Sequence, residues 1–284
     1  MMMPDIWGLA AIITKFALYL GVLTATGTVL AALMFRLNQF RGIALTFGGI
    51  ALIATLVGFS LRGANLTGDA SGLMDLEMLG LLWSTPVGTA IALRLFGLGV
   101  LIVGLFMARG GIVLSALGGV VAVWSFGHIG HISDRGSAVL DVALTLHLIT
   151  VAIWIGILTP LQRLARETAT YAEAAKVGHR FGLAASFTVP ALIVAGGYMS
   201  YTLVGSIAAL IQTGYGQALV IKVLLVAVLL GLAAANKLRF MPRLKVGDAS
   251  AAKHLTKSIS IEWVVVVLVL AVTAVLTSNL TLPT

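Results

Sequence analysis

Three of the five histidines lie where an imidazole could bind a metal ion. His128 and His131 end a long apolar segment, in the sequence WSFGHIGHISD, and His147 lies inside the next one. A separation of three residues places His128 and His131 on one face if the helix continues that far. Imidazole suits copper, zinc, iron and nickel, so we expect the three rings to converge in a metal site. The alternative is that they only form hydrogen bonds at the membrane interface and between helices.

Methionines add a second set of candidate ligands. Met74 and Met78 stand four residues apart in the loop sequence GLMDLEMLG. Thioether sulfur is a soft ligand that selects Cu(I), and it forms no disulfides, which suits an oxidising compartment. Met199 is a further candidate of the same kind. The alternative is that these side chains only pack on a helix at the interface.

Ionisable residues also fall inside the apolar segments, where they are costly and indicate a functional site by default. We expect Asp141 to pair with Arg94 or Lys222, because buried charges need partners. These residues either cross-link the helices or gate a cation path. The possible further ligands or gating residues are Met199, Asp134, Asp141, Arg94, Lys222 and Glu262.

The composition places these residues in a membrane protein. Of the 284 residues, 60% are hydrophobic and 10% are charged, against about 25% charged in a soluble domain. A span needs roughly 20 apolar residues. The sequence therefore predicts an all-α polytopic helical bundle of about eight transmembrane helices. We expect residues 1–284 to form a single integral membrane domain in contact with the lipid bilayer.

Hydrophobic windows place the eight spans along the chain. The predicted spans are Leu9–Met34, Gly42–Leu61, Val87–Met107, Ile112–His128, Val139–Leu161, Phe181–Leu210, Ala218–Leu238 and Ile259–Leu280. The polar stretch Arg163–Arg180 predicts a short separate helix at the membrane interface.

The charge pattern orients the bundle. Of the 18 basic residues, 13 lie in loops that follow odd-numbered spans, which predicts that those loops are cytoplasmic and both termini periplasmic. The net charge of +8 therefore signals topology, and we expect no nucleic-acid partner. The absence of cysteine excludes disulfides, thiolate metal sites and cysteine nucleophiles.

Five motifs, in order, resemble the copper resistance D (CopD) membrane protein family. LLWSTPVGTAIALRLFGLGVL is similar to its Trp-Thr-Gly pattern followed by an arginine, here Arg94, and GHIGHISD to its Gly-His motif. HLITVAIWIGIL matches its His-to-Trp-x-Gly motif. QTGYGQALVIKVLLVAVLLGLAAANKLRFMPRL resembles its Thr-x-Tyr-Gly, Lys and Asn sequence, and LTKSISIEWVVVV loosely matches its Ser-x4-Glu pattern.

The resemblance implies a non-enzymatic copper transporter of the bacterial inner membrane. It would move copper from the periplasm to the cytoplasm, and a periplasmic copper chaperone is a possible partner. The sequence departs from the family at one position. Family members often carry an acidic residue three positions before the intramembrane histidine, which is His147 here. Here that position is Leu144, and the nearest acid, Asp141, does not share a helix face with His147.

Two other functions fit the same residues. A b-type haem oxidoreductase also holds histidines in a helical bundle, and His147 facing His128 or His131 would suffice for one haem. A membrane subunit that docks a copper chaperone could use the acidic loops of the outer face. No nucleotide-binding motif occurs in the chain, so transport would be passive or driven by an ion gradient.

Overall fold

The computed structural model describes residues 5–130, 135–278 and 280–282. Within these ranges the chain is almost entirely helical and has no strand. Eight helices are long and apolar enough to cross a membrane. The predicted all-α polytopic bundle is therefore confirmed.

The helices follow one another with short connections. In chain order they are α1 (Ile6–Phe35), α2 (Arg41–Thr67), α3 (Leu76–Trp83), α4 (Pro86–Phe106), α5 (Gly111–Trp124), α6 (Ala138–Leu164), α7 (Tyr171–Val204), α8 (Ile207–Gln212), α9 (Gly214–Ala235), α10 (Met241–Lys245) and α11 (Ala249–Leu276). Short 3-10 segments cover Ala70–Leu73, Ser125–His128 and Thr168–Thr170, and a π-helical turn covers Asn236–Phe240.

The eight crossings are α1, α2, α4, α5 with its 3-10 extension, α6, α7, α9 with the π turn and α10, and α11. Because the number of crossings in the described chain is even, the start of α1 and the end of α11 lie on one side of the bundle. We call that side the terminal face and the other the loop face. The assignment of the terminal face to the periplasm stays a prediction.

One predicted element is wrong. The stretch Arg163–Arg180 forms no separate interfacial helix, because α7 begins at Tyr171 and runs unbroken through Pro190 to Val204. Small and apolar side chains of its first turns, such as Ala174, are buried against the bundle. That packing continues the helix although its other side is polar. The predicted end of this span at Leu210 is also wrong, since α7 ends before Gly205 (φ +76°).

Glycine permits a close crossing between α1 and α6. A Cβ added at Gly27 would collide with the Ala152 backbone, and one at Gly156 would collide with the backbone of Gly27. Small residues let helix backbones approach closely in membranes. Since α6 also packs against α7 and α11, this crossing fixes the helix that carries the candidate residues Asp141 and His147.

Candidate functional site

A cavity of about 250 Å³ opens at the terminal-face ends of α4, α5 and α6. It is lined by Pro86, Trp124, Gly127, His128, Asp141 and Thr145. Pro86 is the first residue of α4, capped by Thr85, and Asp141 and Thr145 lie one turn apart on α6. We call this space the mouth cavity.

Two potential metal-ligand atoms in the mouth cavity lack a hydrogen-bond partner within the described part of the chain. His128 Nδ1 and Asp141 Oδ1 are buried, and neither has a hydrogen bond to any residue that the structure describes. An unsatisfied buried polar atom costs about 1–3 kcal/mol or more, so such atoms call for an explanation. A cation bound between an imidazole nitrogen and a carboxylate oxygen would satisfy both.

Arg94 holds the 3-10 turn that carries His128. Its Nε donates to Ser125 Oγ at 3.0 Å, and its guanidinium carbon lies 4.5 Å from the centre of the Phe126 ring. Ser125 Oγ in turn donates to the Ala122 carbonyl at 2.6 Å. Arg94 is only 6% exposed, so its role here is to position the turn.

The predicted ion pairs of Asp141 are not formed. Among the described residues, neither Arg94 nor Lys222 lies within salt-bridge distance of Asp141, and the ion pair that does occur joins Arg243 to Asp248 at the loop face. Arg94 is instead engaged with Ser125 and Phe126. The Asp141 carboxylate is thus left to face the mouth cavity and to accept a ligand there.

His147 lies on the other side of α6. At 3.6 residues per turn, six residues turn the helix by about 240° between Asp141 and His147. A Cβ built at Gly196 of α7 would lie 3.5 Å from His147 Cε1 and 3.7 Å from Nδ1. That Nδ1 is buried, with no hydrogen-bond partner in the described chain. The separation of the Asp141 and His147 faces, expected from their spacing, is confirmed.

Two candidate residues lie on the neighbouring helices α7 and α9. Met199 is 7% exposed and lies one turn from Gly196 on the same face of α7. Lys222 of α9 is close enough to interact electrostatically with the ring. His147 and Met199 together offer one nitrogen and one sulfur, a set that suits Cu(I).

A third polar cluster lies deeper, toward the loop face. Trp154 is seven residues beyond His147, which is two turns and about 10 Å further along the same face of α6. Its Nε1 donates to Glu262 Oε2 at 3.4 Å, and Asn236 Nδ2 donates to Oε1 of the same carboxyl group. Glu262 is 2% exposed. We call Trp154, Asn236, Ser258 and Glu262 the inner cluster.

The methionine segment is exposed at the terminal face. Met74 is 86% exposed, and Met78 lies in the first turn of α3, where Asp75 caps the helix by accepting from the Glu77 and Met78 N–H groups. Hydrogen bonds from Ser71 lower the pKa of Asp69 below its ordinary value, so this segment is acidic. The described lining of the mouth cavity includes neither Met74 nor Met78.

The predicted convergence of three histidines is not found in the described chain. His128 lies at the mouth cavity beside the Asp141 face of α6, whereas His147 lies about 120° further round that helix. No group of three or more His, Cys, Asp or Glu residues within residues 5–130, 135–278 and 280–282 could hold a metal. His131 and Asp134 lie outside those ranges. This arrangement does not favour a haem held between His128 and His147.

The sequence did not identify two residues that line the mouth cavity or one polar residue of the inner cluster. Thr145 and Trp124 were not singled out, although Thr145 follows Asp141 by four residues and so shares its face. Ser258 was noted only as part of a motif, yet its Oγ is buried without a partner among described residues. The spacing of four residues between Ser258 and Glu262 places both on one helix face, and this spacing could have indicated that they belong to one site.

The fold and these sites define a multi-pass helical membrane protein with buried polar atoms in its interior, and the comparisons place it in a family. Residues 3–138 match the sequence model described as "Copper resistance protein D-like, N-terminal domain", and residues 175–276 match "Copper resistance protein D". The chain belongs to the copper resistance protein D family and is a copper resistance membrane protein. Curated proteins and solved structures gave no match.

The two matched regions leave α6 between them. Nearly all of α6, with Asp141, His147 and Trp154, lies after residue 138 and before residue 175. This helix packs against α1 of the first region and against α7 and α11 of the second. The helix that contributes to all three polar sites therefore also joins the two matched regions.

Proposed function

We propose that this protein is a copper permease, not an enzyme, and that it moves copper from the periplasm through the bacterial inner membrane to the cytoplasm. Copper is its substrate and enters at the terminal face. The observation that carries the proposal is a pair of buried atoms in the mouth cavity, His128 Nδ1 and Asp141 Oδ1, that have no hydrogen-bond partner among the described residues.

The order of the polar sites along α6 supports a path. Asp141, His147 and Trp154 follow one another from the terminal face toward the loop face. The His147 ring would receive copper from the mouth cavity, with Met199 as a second ligand. An ionisable residue inside a membrane often marks an ion pathway, and these three levels are each about 10 Å apart along the helix axis.

The exposed acidic and methionine segment would collect copper for the mouth cavity. Met74 and Met78 offer soft sulfur, and Asp69, Asp75 and Glu77 attract cations. A periplasmic copper chaperone is the partner that such an exposed segment would serve. Because Met74 is almost fully exposed, it can make contact with an approaching protein without any rearrangement of the bundle.

Copper binding to purified variants tests the proposal. His128→Ala and Asp141→Asn should each lower copper affinity at least about tenfold, because loss of groups around a metal commonly costs 10–100-fold. His254→Ala is the matched control, since that ring is exposed at the loop face and bonded to the Ser250 carbonyl at 2.7 Å. Asp5→Asn controls for removal of an acidic charge at the terminal face, because Asp5 is exposed there and asparagine can still cap α1.

Uptake into proteoliposomes then separates binding from transport. His147→Ala should leave the mouth cavity able to bind copper but abolish copper entry into the vesicles. A wild-type protein that binds no copper under oxidising or reducing conditions would refute the proposal. A purified protein with a Soret absorption band and stoichiometric haem would favour the oxidoreductase instead.

A further inference from the structure

Glu262 is a buried carboxyl group whose hydrogen-bond partners in the described chain are neutral. Trp154 Nε1 and Asn236 Nδ2 each donate to one of its oxygens. An ionised carboxylate in an apolar interior is strongly destabilised unless it is paired with a cation. The site as built therefore favours a carboxyl group that can hold a proton.

The charged and titratable groups on the surrounding elements are engaged or exposed elsewhere. Lys237, the residue after Asn236, donates to the Gly182 carbonyl at 3.0 Å and to Ser186 Oγ at 2.7 Å on α7. Most of the others near this end of the bundle are exposed: Arg36 after α1, Arg163 on α6, Glu173, Lys176, His179 and Arg180 on α7, Arg239 in the π turn, Arg243 and Lys245 on α10, and Lys253, His254 and Lys257 on α11. Tyr171 of α7 is buried, and Asp248 accepts a hydrogen bond from Arg243 Nε. Toward the terminal face, His147 lies two turns away on α6.

The inner cluster also contains two oxygen atoms that can accept a hydrogen bond but receive none from the described residues. Asn236 Oδ1 and Ser258 Oγ are buried with no partner in the described part of the chain, and Ser258 is 6% exposed. Ser258 lies one turn before Glu262 on the same face of α11. A protonated carboxyl group has an O–H to donate, so these oxygens are the acceptors that the protonated form requires.

Asn236 can serve both protonation states. Its amide presents N–H to an ionised Glu262, and rotation by half a turn would present Oδ1 to a protonated one. Asn236 begins the π-helical turn Asn236–Phe240, and single π turns frequently occur at functional sites. The local backbone thus places an adaptable amide directly against the carboxyl group.

We propose that Glu262 is the proton-binding residue that couples copper movement to proton movement. The coupling to copper rests on the proposed function, whereas the binding of a proton by Glu262 does not. When a positive charge arrives from the terminal face, the Glu262 O–H releases its proton toward that face and the carboxylate stabilises the cation electrostatically. When the cation leaves at the loop face, the carboxylate takes up a proton from water on that side. Each cation that enters is thus exchanged for one proton that leaves.

Infrared difference spectroscopy on the full chain in lipid nanodiscs tests the proton site without copper. The wild type should show the carbonyl-stretch band of a protonated buried carboxyl group at neutral pH, and Glu262→Gln should lose it. Asn236→Ala should shift the band, because it removes one hydrogen bond. Glu173→Gln, at an exposed position on α7, is the matched control and should leave the band unchanged. A Glu262→Gln spectrum identical to that of the wild type overturns the inference.

Vesicle transport tests the coupling. With a copper gradient and a pH-sensitive dye inside, wild-type copper entry should change internal pH and respond to an imposed pH gradient, and Glu262→Gln should lose both responses. If the rate of copper entry does not respond to a pH gradient, or responds to a sodium gradient instead, the proposed coupling to protons is wrong. The proposed function of copper transport would still stand. A wild type that moves no copper refutes the proposed function, and the infrared band still decides the proton site.

Discussion

Arg94 is a buried cation that contacts the turn carrying His128 but does not itself line the mouth cavity. Its guanidinium lies over the Phe126 ring and its Nε donates to Ser125 Oγ, two and three residues before His128. A planar guanidinium stacks on aromatic faces and presents fixed donors, whereas an ammonium group does neither in the same way. The turn that aims His128 at the mouth cavity thus depends on the shape of this side chain as well as on its charge.

Replacing Arg94 by lysine should therefore weaken copper binding although the charge is kept. We expect the Arg94→Lys variant to have a lower apparent melting temperature in detergent and a copper affinity several-fold below that of the wild type. Arg109→Lys, at an exposed loop position, provides the control. Unchanged stability and affinity in Arg94→Lys would mean that the Ser125–His128 turn holds its shape by itself.

At the scale of elements, the crossing between α1 and α6 fixes the position of α6 in the bundle. Gly27 and Gly156 meet backbone to backbone, and a methyl group on either would overlap main-chain atoms of the other helix. A flexible side chain could move aside, but backbone atoms cannot do so without separating the helices. The position of α6 sets the mouth cavity on one side and His147 with Trp154 on the other.

Gly156→Ala should accordingly destabilise the bundle by about 1–3 kcal/mol or more, the usual cost of overpacking. Gly99→Ala is a matched control, because Gly99 is also inside a spanning helix but a Cβ there meets nothing within 4 Å. Thermal unfolding in one detergent compares the two. Equal melting temperatures would show that α1 and α6 can separate without loss of stability.

At the scale of the whole molecule, the direction of the proposed path depends on which face is periplasmic. The terminal face carries the mouth cavity and the exposed Met74, and the loop face carries most of the basic residues. Basic loops favour the cytoplasmic side. The proposed entrance would then face the compartment from which copper arrives.

Single cysteines test this orientation directly, since the chain has none of its own. Ala70 and Ala169 are both exposed residues in short 3-10 segments, on the terminal and loop faces respectively. We expect a membrane-impermeant maleimide to label Ala70→Cys in intact spheroplasts, and Ala169→Cys only after the membrane is opened. The reverse pattern would invert the topology and with it the direction of transport.

The sequence alone determined the architecture, because the physics involved is local. About twenty apolar residues in a row must form a helix in a bilayer, where no water satisfies the backbone. Most span boundaries therefore agree with the structure to within a few residues, as for Val139–Leu161 against Ala138–Leu164. The exceptions are ends such as Tyr171, where burial against neighbouring helices continued a helix through polar sequence.

Only the tertiary structure decided which chemistry-bearing residues meet. Spacing showed that Asp141 and His147 face different ways, but it could not show that His128 accompanies Asp141 or that Gly196 leaves room beside His147. Likewise, Trp154, Asn236 and Glu262 come from three helical regions far apart in the chain. Contacts between helices depend on the rotation of each about its own axis, which packing at crossings such as Gly27–Gly156 fixes and which no local pattern encodes.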